Sequence, residues 1–189
     1  MNLIALASER AGLRADILDA QGLTLVEPAP IIDHLCHRFG FAADLFEELA
    51  FFQASHKIVR VAPVNIEIPL RPPADRVGVD FLRIDMANPR MTTTAVMTWG
   101  HQASTNAVDT DRDQCLQFLR RSRIQLRQDQ LQHCTGRGFV IIRHLGHGLG
   151  VGFLESTRRA DDNFAYVRSM YPKAFSNELE RTSPFGNPL

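Results

Sequence analysis

The chain has 189 residues, is 44% hydrophobic and 22% charged, and carries a formal net charge of zero. This composition is that of a globular protein and does not indicate disorder, and the neutral balance gives no electrostatic signature of the whole molecule. The length suits one large domain or two small ones.

The distribution of charge says more than its sum. Of the 21 basic residues, only Lys57 and Lys173 are lysine. Arginine offers a planar fork that matches phosphate and stacks on bases, although a GC-rich coding sequence yields the same bias. Arg112, Arg120, Arg121, Arg123, Arg127, Arg137 and Arg143 fall in one window against Asp113 and Asp129, so a local basic patch is expected there. Cys36, Cys115 and Cys134 are odd in number, widely spaced and without a C-x-x-C pair, the pattern of reduced thiols. The start "MNLIALASERAGLR" lacks a basic region ahead of an apolar core, so no secretory signal is expected. No apolar run approaches the ~18 residues of a membrane helix, and a cytoplasmic location is expected.

In chain order, residues 1–20 read as a weakly amphipathic helix that breaks near "QGLTLVEPAP". Pro30 suits a first helical turn. "PIIDHLCHRFGF" then places Ile31, Ile32, Leu35 and Phe39 at helical spacing. "AADLFEELAF" reads as a further short helix. "KIVRVAP", "VGVDFLRIDM" and "TTTAVMTWG" are β-branched and aromatic runs bounded by Pro, Asp and Gly, which predicts strands. "NIEIPLRPPADRVG" between them has three prolines and reads as loop or edge. A domain boundary is expected near His101 to Asn106. "DTDRDQCLQFLRRS" follows as a helix capped by Asp109 or Thr110, with Cys115, Phe118 and Leu119 as its apolar stripe. Arg120, Arg121 and Arg123 would end that helix, where cations meet the negative end of the dipole. "IQLRQDQLQHCTGRG" reads as strand plus turn. The carboxyl-terminal part reads as an exposed loop, a strand at Phe164–Arg168 and a closing turn.

Glycines at 146, 148, 150 and 152 follow the apolar run "GFVIIRH". A phosphate-cradling loop needs a third glycine in G-x-G-x-x-G, or a Gly-Lys-Ser/Thr, ahead of a helix. Val151, Phe153 and Glu155 stand at the three third-glycine positions, and strand-like "VGFLES" follows. The comb is therefore expected to be a β-hairpin, with "LGHGL" supplying positive φ at the turn. Glycines within its return strand imply close approach of another backbone or a ligand.

"GRGFVIIRHLGHGLGVGFL" followed by "VRSMYPKAF" resembles the PUA-like module, a small RNA-binding pseudo-barrel, of Nol/Nop/Sun-type RNA cytosine-5 methyltransferases and related ribosome-biogenesis proteins. "HLCHRFGF", "FFQ" with "KIVRV", "FLRID", "TTTAVMTWGHQASTNAVD" and "DRDQCLQFLRR" are similar, in the same order, to the segment preceding that module. The resemblance spans roughly residues 30–176. Gly148 stands where the family usually has Pro, Thr105 stands where a Lys is common, and the basic residue that often follows Pro-Lys is missing. No S-adenosylmethionine loop and no Pro-Cys or Thr-Cys dipeptide occurs, so the resemblance implies the RNA-binding portion without its catalytic domain.

These readings give an α/β chain of the α+β type. Residues 1–103 would form a mixed domain with an antiparallel sheet, residues 104–180 a PUA-like β-barrel, and residues 181–189 a flexible tail. The expected function is non-catalytic binding of structured RNA, ribosomal or transfer, in RNA modification or ribosome biogenesis, with no cofactor. The expected alternative is an adaptor that docks a separate methyltransferase or assembly factor. The candidate RNA contacts are Lys57, Arg60, Arg143, Gly146, His147, Gly148, Arg168 and Lys173. Each has a competing role: the lysines as solvated surface, Arg143 and Arg168 as cross-strand ion pairs on neighbouring strands. Trp99 and Phe51–Phe52 are candidates for base stacking or for the core. His133, Cys134, His144 and His147 lack the carboxylate that would complete a metal site, so no metal is expected. Asp80 and Asp85 would be acid–base groups in an enzyme, and strand-edge carboxylates otherwise.

Overall fold

The run "LAF", which the sequence places at the end of a helix, shows how the first sheet forms. In the computed structural model, which describes residues 22–182 apart from 70, 73, 86–87 and 157–164, the helical start lasts one 3-10 turn, Ala43–Phe46. The chain then extends as a strand, Leu49–Ser55. Both faces of that strand are covered, so a continuous apolar run suits it better than a one-sided helix. Ala50 and Phe52 pack on one side with Leu23, Ala62 and Val77. Phe51 meets Phe81 edge-on from the other side, and Phe46, Phe41 and Phe39 continue that aromatic chain. The helix expected over residues 1–20 lies outside the described residues.

The first sheet is an antiparallel meander of β1 (Thr24–Leu25), β2 (Leu49–Ser55), β3 (Ile58–Pro63), β4 (Val79–Arg83) and β5 (Arg90–Met91). Helix α1, Ala29–Phe39, opens with proline in its first turn and buries Ile31, Leu35 and Phe39. Gly40, at φ 63°, closes it by donating its N–H to the Cys36 carbonyl. "TTTAVMTWG" is not a strand but helix α2, Thr93–Trp99. The Thr92 hydroxyl accepts the Ala95 N–H at 3.1 Å, and Ala95 and Val96 are fully buried. Capping and burial outweigh the weak helix propensity of threonine and valine.

The chain divides into two compact units between Ala95 and Val96, within α2 rather than after residue 103. The second unit is built on a five-stranded sheet in the order β6 (Ala107–Asp109), β8 (Gly138–His144), β9 (His147–Ser156), β10 (Ala165–Ser169), β7 (Arg123–Leu126). β6 pairs parallel to β8; all other neighbours are antiparallel. β6 and β7 are edges, so the hydrogen-bonded ladder is open and does not close into a barrel among the described residues. Val108, Ile124, Leu126, Val140, Ile142, Leu154 and Val167 fill one face with Phe118 and Tyr171.

Phe118 comes from helix α3, Arg112–Leu119. Its cap is Asp111 rather than Asp109 or Thr110. The Asp111 carboxylate accepts the Gln114 N–H, and the Gln114 side chain accepts the Asp111 N–H, a complete capping box. Gln114 also exchanges amide hydrogen bonds with Gln130, at 3.0 and 2.8 Å, inside the unit. Gln114 further donates to the Gln125 carbonyl, and Gln130 to the Asp109 carbonyl. Asn106, fully buried at φ 49°, holds the Thr135 N–H and hydroxyl with its own amide. In place of a closing turn, the chain ends its described part in helix α4, Lys173–Thr182, which takes in the first two residues of the expected tail.

The glycine comb is a hairpin. Its turn is tighter than expected: Leu145 and Gly146 alone, at φ 51° and 80°, with β9 resuming at His147. Two positive φ values make the turn that best matches strand twist. Gly148 is a different case, since its φ is ordinary. A Cβ there would collide with the Val96 carbonyl, and one at Gly152 with the Val167 side chain. The close approach expected of the return strand is therefore made by the protein's own backbone and core. Gly148→Ala should lower the urea midpoint by an amount corresponding to about 2 kcal/mol or more. Gly146→Ala meets nothing but carries the left-handed backbone cost of ~1 kcal/mol, so the two variants should rank in that order.

Candidate nucleic-acid interface

Alternation along the strands sends every second residue of the second sheet away from the core. Opposite Val140, Leu154, Val167 and Ile124 this outer face carries Phe139, Phe153, Arg168, Tyr166 and Arg123. Its two ends differ. Ile141 and Val151 are buried, with Gly100 packed close to Ile141 and to Val96. At the other end Phe139 and Phe153 face each other across β8 and β9, ring centres 5.3 Å apart and nearly perpendicular. Phe139, Phe153 and Tyr166 are each half-buried.

Guanidinium groups lie over these rings. Arg123 sits 4.3 Å from the Tyr166 ring centre, and Arg137 and Arg168 sit 5.5 and 5.6 Å from that of Phe153. Glu155 joins two of them, at 3.0 Å from Arg123 and 3.5 Å from Arg168. The side chains of Arg123 and Arg168 remain 52% and 61% exposed. The patch thus combines three arginines, one carboxylate and three aromatic rings on a sheet.

The residues expected to bind RNA are dispersed. In the first unit Lys57 is exposed on the turn between β2 and β3. Arg60 is bonded at 2.8 Å to Asp80, whose second oxygen meets Arg76 at the same distance. Asp85 is likewise paired with Arg83. Phe51 and Phe52 are core residues, 2% and 0% exposed.

In the second unit Arg143 and Arg168 are not on neighbouring strands, because β9 lies between β8 and β10. Arg143 grips Asp109 through two bonds of 2.6 and 3.0 Å and reaches the Ala103 carbonyl. Its side chain is only 18% exposed, so it acts as a clasp between β6 and the loop before it. Gly146 and His147 are exposed at the hairpin tip, and Gly148 is buried. Lys173 is exposed at the start of α4. Only Arg168 among the expected contacts belongs to the aromatic patch. Arg123, expected at a helix end, lies in β7 and completes it. The signal that finds the patch is the two-residue period of "GFVII", "GFLE", "AYVRS" and "RIQL" once their core positions are known.

Among the described residues, no group of three or more His, Cys, Asp or Glu could hold a metal ion, and no helix is long and apolar enough to cross a membrane. His144 bonds through Nδ1 to the Thr110 carbonyl. No protein-family model matches the chain, and no curated protein matches it either.

Asp80 gives this geometry a pH signature. Burial pushes its carboxyl up, but the hydrogen bonds and charges of Arg60 and Arg76 outweigh that and hold it below the ordinary aspartate value. A carboxyl lowered on folding stabilises above its unfolded pKa of ~3.9 and loses that contribution as pH falls. Urea midpoints of wild type and Asp80→Asn should therefore differ at neutral pH and converge in acid. A constant gap would contradict the pairing.

Proposed function

We propose that the chain binds RNA without catalysing a reaction on it, and that the second unit makes the principal contact. The observation that carries this reading is the cluster of Arg123, Arg137 and Arg168 over aromatic rings of the sheet's outer face, with one carboxylate, Glu155, paired to two of them. Several other arginines are engaged: Arg60 and Arg143 by carboxylates of their own sheets, and Arg127 by Asp111 and Asp129. On the outer face three guanidinium groups gather beside one carboxylate, an arrangement that suits phosphate contact. Lys173 and His147 are exposed additional contacts of the same unit. The resemblance to the PUA-like end of RNA cytosine-5 methyltransferases supports the same reading, and with it a role beside a separate modifying enzyme or in ribosome biogenesis.

A second reading, an adaptor for a methyltransferase or assembly factor, draws on Leu145. This leucine is 83% exposed on the left-handed turn of the hairpin, an apolar tip suited to a protein pocket.

Salt dependence tests the first reading. Affinity for RNA should fall linearly in log–log form with salt, with a slope of ~0.7 for each phosphate contacted on a single strand. Arg123→Gln and Arg168→Gln should each reduce that slope by roughly one contact. Arg143→Glu should instead lower the melting temperature, since it breaks the clasp to Asp109. Absence of salt-dependent binding by the wild-type chain would end the RNA reading, and loss of a captured protein on Leu145→Ser would favour the adaptor.

A further inference from the structure

We infer that the outer face of the second sheet receives the unpaired bases of a single-stranded RNA segment, stacked on Phe153, Tyr166 and their guanidinium neighbours. The inference rests on the RNA-binding reading and narrows it to a class of RNA and a mode of contact.

Charge and shape together select this occupant. A patch of arginines alone would accept any polyanion, including an acidic peptide or the outside of a duplex. Here each guanidinium lies over a ring, so cation and aromatic plane are offered as one surface. Bases in a duplex are stacked on one another and present only their edges in the grooves, whereas splayed single-stranded bases expose their faces to aromatic rings and arginine planes. Rings and guanidinium groups displayed on a sheet face suit the second. Glu155 contributes order. From β9 it holds both Arg168 of the adjacent β10 and Arg123 of β7 beyond it, reducing the rotamer freedom they would lose on binding. It takes one nitrogen of each fork, and a guanidinium carries five N–H donors, so the remainder serve phosphates.

The placement of the rings sets the footprint. Arg168 stands opposite Phe153 in register and Tyr166 opposite Glu155, so the two rings are diagonal neighbours on adjacent strands. Such pairs lie roughly 7–8 Å apart, with the Arg168 side chain beside Phe153. Two consecutive bases, one on each ring, fit that diagonal. Phe139, directly across from Phe153, extends the apolar floor toward β8.

The test uses the full chain and two probes: an unstructured oligoribonucleotide of about twelve nucleotides, within the usual site size, and a blunt RNA duplex containing the same sequence. Phe153→Leu with Tyr166→Leu keeps apolar bulk, and thermal melting verifies that the double variant folds. Wild type should prefer the single strand. The double variant should lose about tenfold or more in single-strand affinity, given the usual worth of base stacking, while its salt slope stays unchanged. Equal affinity of wild type for both probes, or a double variant that binds the single strand within about twofold of wild type, would overturn stacking and leave RNA binding intact. An acidic peptide that displaces the single strand as well as unlabelled RNA does would assign the face to a protein partner instead. Failure of wild type to bind either probe would end both proposals.

Discussion

The register of the β8–β9 ribbon is the constraint on which the second unit rests. Strand side chains alternate between faces, so a slip of one residue would send Phe139 and Phe153 into the core and Val140 and Leu154 to solvent. Two features hold the register. The turn at Leu145 and Gly146 admits one pairing, His144 with His147. Gly148 then passes beneath the Val96 carbonyl, where no other residue fits without displacement. β6 adds to one edge of the ribbon and β10 to the other, so the core of the unit and its outer face are both set from this hairpin.

Arginine does two kinds of work in this chain, and burial separates them. Arg143 and Arg60 are largely covered and tied to carboxylates on adjacent strands; truncating Arg143 would loosen the edge strand β6, and truncating Arg60 would remove a tie between the inner strands β3 and β4. Arg123 and Arg168 are more than half exposed and share one carboxylate. Exposed pairs of this kind contribute little to stability, so their arrangement over aromatic rings is better suited to recognition than to holding the fold. Net charge conceals this division, since the clasped arginines cancel the acids that hold them.

Much of the architecture is legible in the residues. Proline at the start and glycine at the end delimit α1, "KIVRVAP" and "VGVDFLRIDM" contain strands, and the glycine comb is a hairpin because no helix follows it. The misread segments are those where local preference and tertiary burial disagree. "TTTAVMTWG" has strand composition but is helical because Thr92 caps it and Ala95 and Val96 are buried. "ELAF" has helical spacing but is extended because apolar groups cover it on both sides. The candidate site was harder to read. Its residues come from β7, β8, β9 and β10, and Arg123, Phe139, Phe153 and Tyr166 converge only once the sheet order is known. Choosing cations by their place in a motif picked out Arg143, whose engagement by Asp109 depends on a parallel pairing absent from any local pattern.

The reciprocal amides of Gln114 and Gln130 bear on how the molecule behaves as its surroundings change. They join α3 to the segment after β7, and through the Gln125 and Asp109 carbonyls to two strands, using only neutral dipoles. Every buried side-chain polar atom among the described residues has a partner. Mobile ions screen exposed charges but barely reach neutral groups sealed from water. Raising ionic strength therefore dims the electric field of the outer face while this uncharged joint keeps its geometry.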